Sequence, residues 1–199
     1  MRVPLESCGA QIDVKRSRFI AIAQPLSDMQ DVRERIAVVR AAHPQANHVV
    51  HAAVVGLHGT QFSVSDDHEP KNTAGRPVLE VLKGSGITNI LVMVVRYFGG
   101  TLLGTGGLVK AYGDAAKAVL DSLKTEELIE KSSLIIVIGY DIYEQVKLLL
   151  RAHEAVATED FSTEVTVRAT VAANVVDKLV AQITDLSAGR ARIEFPQDV

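Results

Sequence analysis

The sequence predicts an α+β protein of two domains, residues 1–124 and 125–199. Three observations predict it. Short apolar runs with strand-like alternation are interleaved with segments of helical spacing. The charge changes sign along the chain: residues 1–124 carry 14 Lys and Arg against 11 Asp and Glu, and residues 125–199 carry 7 against 13. The last 75 residues or so read in the order βαββαβ, the ferredoxin-like split unit.

In the first domain, SRFIAIAQPL (17–26) reads as a strand and SDMQDVRERIAVVRAAH (27–43) as a helix capped by Ser27 or Asp28. ANHVVHAAVVG (46–56) and TQFSVSD (60–66) read as a hairpin turning at Gly56–Gly59. SDDHEPKNTAGRP (65–77) is a polar loop, and PVLEVLKGSG (77–86) a short helix with Pro77 in its first turn and Gly84 near its end. TNILVMVVRYF (88–98) is a buried strand, and GLVKAYGDAAKAVLDSLK (107–124) an amphipathic helix. The N-terminus, with the sole cysteine Cys8, reads as a loose end.

In the second domain, ELIEKSSLIIVIGY (127–140) is β-rich, and DIYEQVKLLLRAHE (141–154) sets Ile142, Val146, Leu149 and Leu150 on one helical side. AVATEDFS leads into TEVTVRATVA, which alternates Val165, Val167, Ala169 and Val171. NVVDKLVAQITDLSAG (174–189) is a helix with Asn174 as its cap and Gly189 past its end, and RARIEF closes as a strand.

Composition excludes several classes. The longest apolar runs fall far short of the about 20 residues of a membrane helix. One cysteine allows no internal disulfide, which fits a cytoplasmic location. If nucleic acid is met, the basic first domain should meet it, because the acidic second would repel phosphates. With aromatic residues at 5% and no aromatic stripe, stacking along a single strand is not expected.

RYFGGTLLGTGGLVKAYG (96–113) holds six of the 14 glycines. It is not a Walker loop, since Thr105 stands where lysine must follow Gly99 and Gly104. It is not a dinucleotide fingerprint, since Val109 stands where the last glycine belongs after Gly104 and Gly106. Strand, glycine-rich loop and helix still bring free N–H groups to a helix N-terminus, a place that attracts anions. Two readings stay open. One is an anion or nucleic-acid site built from Arg96, Gly99, Gly100, Gly104, Gly106, Gly107 and Lys110, with Lys71 and Arg76 from the polar loop; the other is close strand-to-helix packing with no ligand. In that loop Asp66, Asp67, His68 and Glu69 are consecutive, but neighbours in an extended loop point apart, so no metal is expected. Asp66 and Glu69 are the candidate acid–base residues if any chemistry occurs. His48 and His51 are three apart on a strand and face opposite sides, so they read as ordinary, partly buried histidines. No G-x-S-x-G elbow occurs, and no cofactor is expected.

Four segments resemble the IMPACT/YigZ family of translation regulators: SRFIA (17–21), Ala46–His48, SDDHEPKNTAGRPVLEVL (65–82) and, above all, VVRYFGGTLLGTGGLVKAYG (94–113). The resemblance covers the first domain nearly end to end, and the tail is similar to the second domain of bacterial members. It implies a first domain with the β-α layering of a small-subunit ribosomal protein and of elongation-factor domains, and a tail like the last domain of elongation factor G. It implies a non-enzymatic regulator that binds RNA or ribosome-associated partners. Eukaryotic members engage a ribosome-bound activator through an additional N-terminal domain, and that role is not expected of this chain. A regulator using the acidic tail to dock a protein, and an enzyme on a small phosphorylated or peptide substrate, are the alternatives. Against the family pattern, His68 replaces a glycine, Lys71–Asn72 replace Ser-Gly, and Leu102 stands where lysine is common, which removes a cation from the glycine loop.

Overall fold

The computed structural model describes residues 1–196. It is a mixed α/β protein with several sheets, and it divides into a unit Met1–Leu128 and a second unit from Ile129 onward.

The first unit is built on a five-stranded antiparallel sheet. Its strands are β2 (Cys8–Val14), β3 (Ser17–Pro25), β4 (His48–Val55), β5 (Gln61–Ser65) and β6 (Ile90–Tyr97), in the order β2-β3-β6-β4-β5. The central strands are apolar on both faces because both are covered, whereas an exposed face would carry polar residues. Val50, Ala52, Val54, Val92 and Val94 pack with α2 (Gly75–Gly84) and α3 (Gly104–Asp121). Val49, Ala53, Val55, Leu91, Met93 and Val95 pack with α1 (Val32–Ala42) on the other side. Period-two alternation therefore assigns even-numbered residues of β4 and β6 to the α2/α3 layer. A small separate ribbon pairs β1 (Arg2–Pro4) with β7 (Thr125–Glu127).

The second unit runs β8 (Lys131–Ile138), α4 (Tyr143–Ala152), β9 (Val156–Phe161), β10 (Val165–Ala172), α5 (Val176–Leu186) and β11 (Arg192–Glu194), which is the βαββαβ order. Its sheet has the order β11-β8-β10-β9 with every pair antiparallel. Leu134, Ile136, Ile138, Val165 and Val167 meet Val146, Leu150, Leu179 and Ile183 of the helices.

Three expectations need correction. The N-terminus is not loose: β2 is paired along its length with β3, and Cys8 packs on the core with its Sγ 3.4 Å from the Val119 carbonyl oxygen. The glycine-run helix begins at Gly104, three residues early, because glycine lowers helix propensity without forbidding a first turn. Asn174 does not cap α5; it lies in a 3-10 turn, Ala173–Val175, that leads into the helix. Asp28 does cap, accepting the Gln30 N–H at 2.9 Å at the 3-10 turn before α1.

Candidate functional site

Sheet register assembles the site. Arg96 of β6 lies opposite Phe19 of β3 on one side and His48 of β4 on the other. The three form a row at one end of the sheet, on the α2/α3 face. The polar loop between β5 and α2 then delivers Glu69 onto that row. Glu69 and Arg96 are 8% and 5% exposed, and Arg96 Nη1 donates to Glu69 Oε1 at 2.6 Å. Tyr112 of α3 donates its hydroxyl to the same oxygen at 2.7 Å. Burial, reinforced by that bond to Glu69, pushes the Tyr112 hydroxyl far above its ordinary value, so it stays a donor. Arg96 also lies over the Phe19 and Phe98 rings, 5.4 and 5.7 Å from their centroids.

His48 has a defined orientation. Its Nδ1 is 2.7 Å from the Asp67 carbonyl oxygen, which can only accept, so Nδ1 carries the proton. Nε2 is left 3.7 Å from Glu69 Oε1. The Asp67 carboxylate accepts from the Val49 N–H at 2.6 Å and from Arg40 at 2.7 Å. Burial would raise this carboxyl, but those two donors hold it below the usual carboxylate value. Asp67, His68 and Asn72 have φ of 43°, 67° and 63°, a left-handed path that glycine adopts most readily.

Of these residues, His48, Glu69, Arg96 and Phe98 line a cleft of about 470 Å³. Buried Glu69 and Arg96 with half-buried His48 give it a polar floor, and Asn47, Phe98 and Leu102 stand exposed at its mouth. The loops 65–76 and 96–107 therefore converge.

The residues singled out in the sequence distribute unevenly. Glu69, Arg96 and Gly104 line the cleft. Asp66 does not; it accepts the N–H groups of Asn72, Ala74 and Gly75 at 2.8, 3.1 and 2.8 Å and so caps the start of α2. Arg76 and Lys110 line a second groove of about 540 Å³ between α2 and α3, where each faces an acidic residue one turn on: Glu80 at 3.9 Å and Asp114 at 2.7 Å. Lys71 is exposed on the loop. Gly99 is a packing residue: a Cβ there would overlap the backbone of Arg16 and Ser17, and its N–H donates to Ser17 Oγ at 3.1 Å. Gly100 and Gly104 have positive φ, Gly107 sits against Leu103, and Gly106 faces open space. The glycine run thus serves close packing at Gly99 and helix initiation at Gly104, and only its Gly104 end reaches the cleft.

Sequence reasoning missed His48 and Asn47. The Ala46–His48 segment carries the signal, but a histidine on a strand gains meaning only once the register places Arg96 beside it.

The family model of the Impact N-terminal domain matches residues 15–120. An IMPACT family member of Haemophilus influenzae is 32% identical over 196 residues, covering 97% of this chain and 95% of its own length. The IMPACT family member YigZ of Escherichia coli is 35% identical over 184 residues, covering 91% and 90%. A solved crystal structure of a hypothetical protein superposes with a TM-score of 0.71 at 32% identity, over 100% of this chain and 98% of that one. Glu69, Arg96 and the glycine run all lie inside the matched span, and likeness of this extent settles the assignment: the chain belongs to the IMPACT family.

Proposed function

We propose that this chain regulates translation without catalysing a reaction, by binding RNA or a ribosome-associated partner, and that the cleft of the first unit makes the contact. One observation carries the reading: two loops separate in sequence bring a buried ion pair and an uncapped helix start beside the β4 histidine His48 in one pocket. A pocket with a few convergent polar groups is where a ligand is expected. We read the first unit as the β-α layer shared with ribosomal-protein and elongation-factor domains, and the second as akin to the last domain of elongation factor G.

The charge distribution refines how binding works. Through Leu128 the count is 14 Lys and Arg against 13 Asp and Glu. A near-neutral unit does not hold RNA by a broad basic surface, so the contact is local.

Cosedimentation of the full chain with ribosomes, and binding to structured RNA at two salt concentrations, test the reading. Binding with a shallow salt slope, together with a changed yield in a reconstituted translation reaction, is expected. Absence of binding to both overturns it. Convergence of the loops also favours a second reading, an enzyme on a small phosphorylated or peptide substrate, with Glu69 and His48 as acid and base. Turnover of such a substrate, lost in Glu69→Gln, would replace the first reading.

A further inference from the structure

We propose that the cleft holds one unpaired nucleotide, its base on the Glu69–Arg96 floor and its phosphate at the start of α3. This rests on the RNA reading above and gives that reading its ligand.

The floor offers a donor and an acceptor side by side. Glu69 Oε1 is filled by Arg96 and Tyr112, while Oε2 accepts nothing from the described residues. Arg96 Nη1 is used, Nη2 has no partner among the described residues, and Nε is buried without one. Nε is the one partnerless side-chain polar atom that is buried among the described residues, so Oε2 and Nη2 are open, and the cleft is where these two residues open. Asn47 adds a donor: its Oδ1 accepts the Phe98 N–H at 2.8 Å, which leaves its Nδ2 free.

An anion alone would be repelled by Glu69, and a cation alone by Arg96. A group with an N–H next to a carbonyl or ring nitrogen satisfies both, and the Watson–Crick edge of a nucleobase carries that pattern. The surroundings suit a flat ring. Phe98 is half-exposed at the mouth, beside apolar Leu103 and Leu108, and can stack on a base. One such aromatic suits one base, not a stacked strand. The volume, about 470 Å³, lies within the range of small-ligand pockets. Gly104 and Thr105 line the same cleft, and α3 begins there with no side-chain cap, so its first N–H groups are available to a phosphate.

A backbone amide presents the same donor–acceptor pair, but it brings no ring for Phe98 and no anion for α3. The nucleotide comes either from an RNA strand or free, and the test separates the two. Binding of the four single-stranded RNA homopolymers is measured by fluorescence anisotropy, and of the four nucleoside 5′-monophosphates by calorimetry. The full chain is used, as wild type, Phe98→Ala, Glu69→Gln and a distant control, Lys83→Ala, each checked for fold by circular dichroism. The expected result is a base preference in wild type, a roughly tenfold or greater loss in Phe98→Ala, an altered preference in Glu69→Gln, and no change in Lys83→Ala. Phe98 is exposed, so its variant keeps the test decisive if Glu69→Gln misfolds. RNA binding that Phe98→Ala and Glu69→Gln leave untouched overturns the cleft and spares the RNA reading. Monophosphate binding lost in Phe98→Ala, with no RNA binding, keeps the cleft and overturns the RNA reading. No binding of either kind overturns both.

Discussion

Removing the Glu69 carboxylate leaves the Arg96 guanidinium buried with no counter-charge, and the Tyr112 hydroxyl without its acceptor. Breaking a buried pair from one side costs about 3–5 kcal/mol, so Glu69→Ala is expected to lower stability by that amount in urea unfolding. Glu69→Gln keeps an oxygen for both donors and should lose clearly less. The mouth of the cleft responds differently. Leu102 is 84% exposed, so Leu102→Lys should leave stability unchanged while adding a cation at the mouth. If RNA binds at this mouth, the plot of log affinity against log salt should steepen by about 0.7 for one added phosphate contact; an unchanged slope would place the strand elsewhere. Glu69 was legible from the sequence as an ionisable residue in a polar loop, but so was Asp66. Only the fold separates them, because Asp66 turns its oxygens to the N–H groups of α2 and Glu69 turns inward. His48 was illegible as a functional residue because its neighbour in space, Arg96, is 48 positions away and is joined to it by strand register alone.

At the scale of elements, the glycine run makes two opposite demands. Gly99 has no room for a side chain beside the Arg16–Ser17 backbone, so Gly99→Ala should destabilise by about 3 kcal/mol, the upper end of ordinary overpacking. Gly106 lies in the first turn of α3 facing open space, so Gly106→Ala should stabilise by about 0.5 kcal/mol through restriction of the unfolded chain. Paired thermal melts of the two variants check both signs. The β4–β5 pair adds a pH dependence. His51 is buried, with Nε2 3.1 Å from Ser63 Oγ, and burial lowers its pKa below 6.5 against the opposing pull of Asp67. Above pH 6.5 the imidazole is neutral in both folded and unfolded chains, and its contribution is fully present. As pH falls through that value the unfolded chain takes the proton first, so stability declines. A His51→Gln variant should flatten this decline below pH 6.5. Most elements were visible in the sequence because their apolar period is unambiguous, as in β6 and β10. β1, β2 and β7 were not: β1 and β7 are three residues each, and β2, CGAQIDV, alternates weakly through Gly9 and Ala10. Their strand character comes from a partner, not from local pattern.

Across the whole molecule, the first unit runs to Leu128, and the place where it ends depends on a pairing that no local signal reveals. Residues 125–127 return to the N-terminus, where Arg2, Val3 and Pro4 pair with Glu127, Glu126 and Thr125. The ribbon is closed at both ends, by the Leu5 N–H on the Lys124 carbonyl at 3.0 Å and the Leu128 N–H on the Met1 carbonyl at 3.0 Å. A fragment ending at Lys124 therefore loses the β7 side of β1, although Arg2 keeps its bonds to Gly86 and Thr88, while one ending at Leu128 keeps the ribbon whole. Each lost backbone hydrogen bond is worth about 1 kcal/mol net, so fragment 1–128 should melt several degrees above fragment 1–124, with hydrogen exchange at Val3, which lies opposite Glu126, protected only in the longer one. The same pair of fragments bears on function. Glu126 and Glu127 are the residues that reduce the net charge of the first unit, so a surface-charge mechanism predicts that 1–124 binds RNA more tightly than 1–128. A cleft mechanism predicts equal affinity once both are folded, since Glu69, Arg96 and Phe98 are present in each. Equal affinity, lost in both fragments with Phe98→Ala, is the expected outcome; tighter binding by the shorter fragment, indifferent to Phe98, would locate the contact on the open surface.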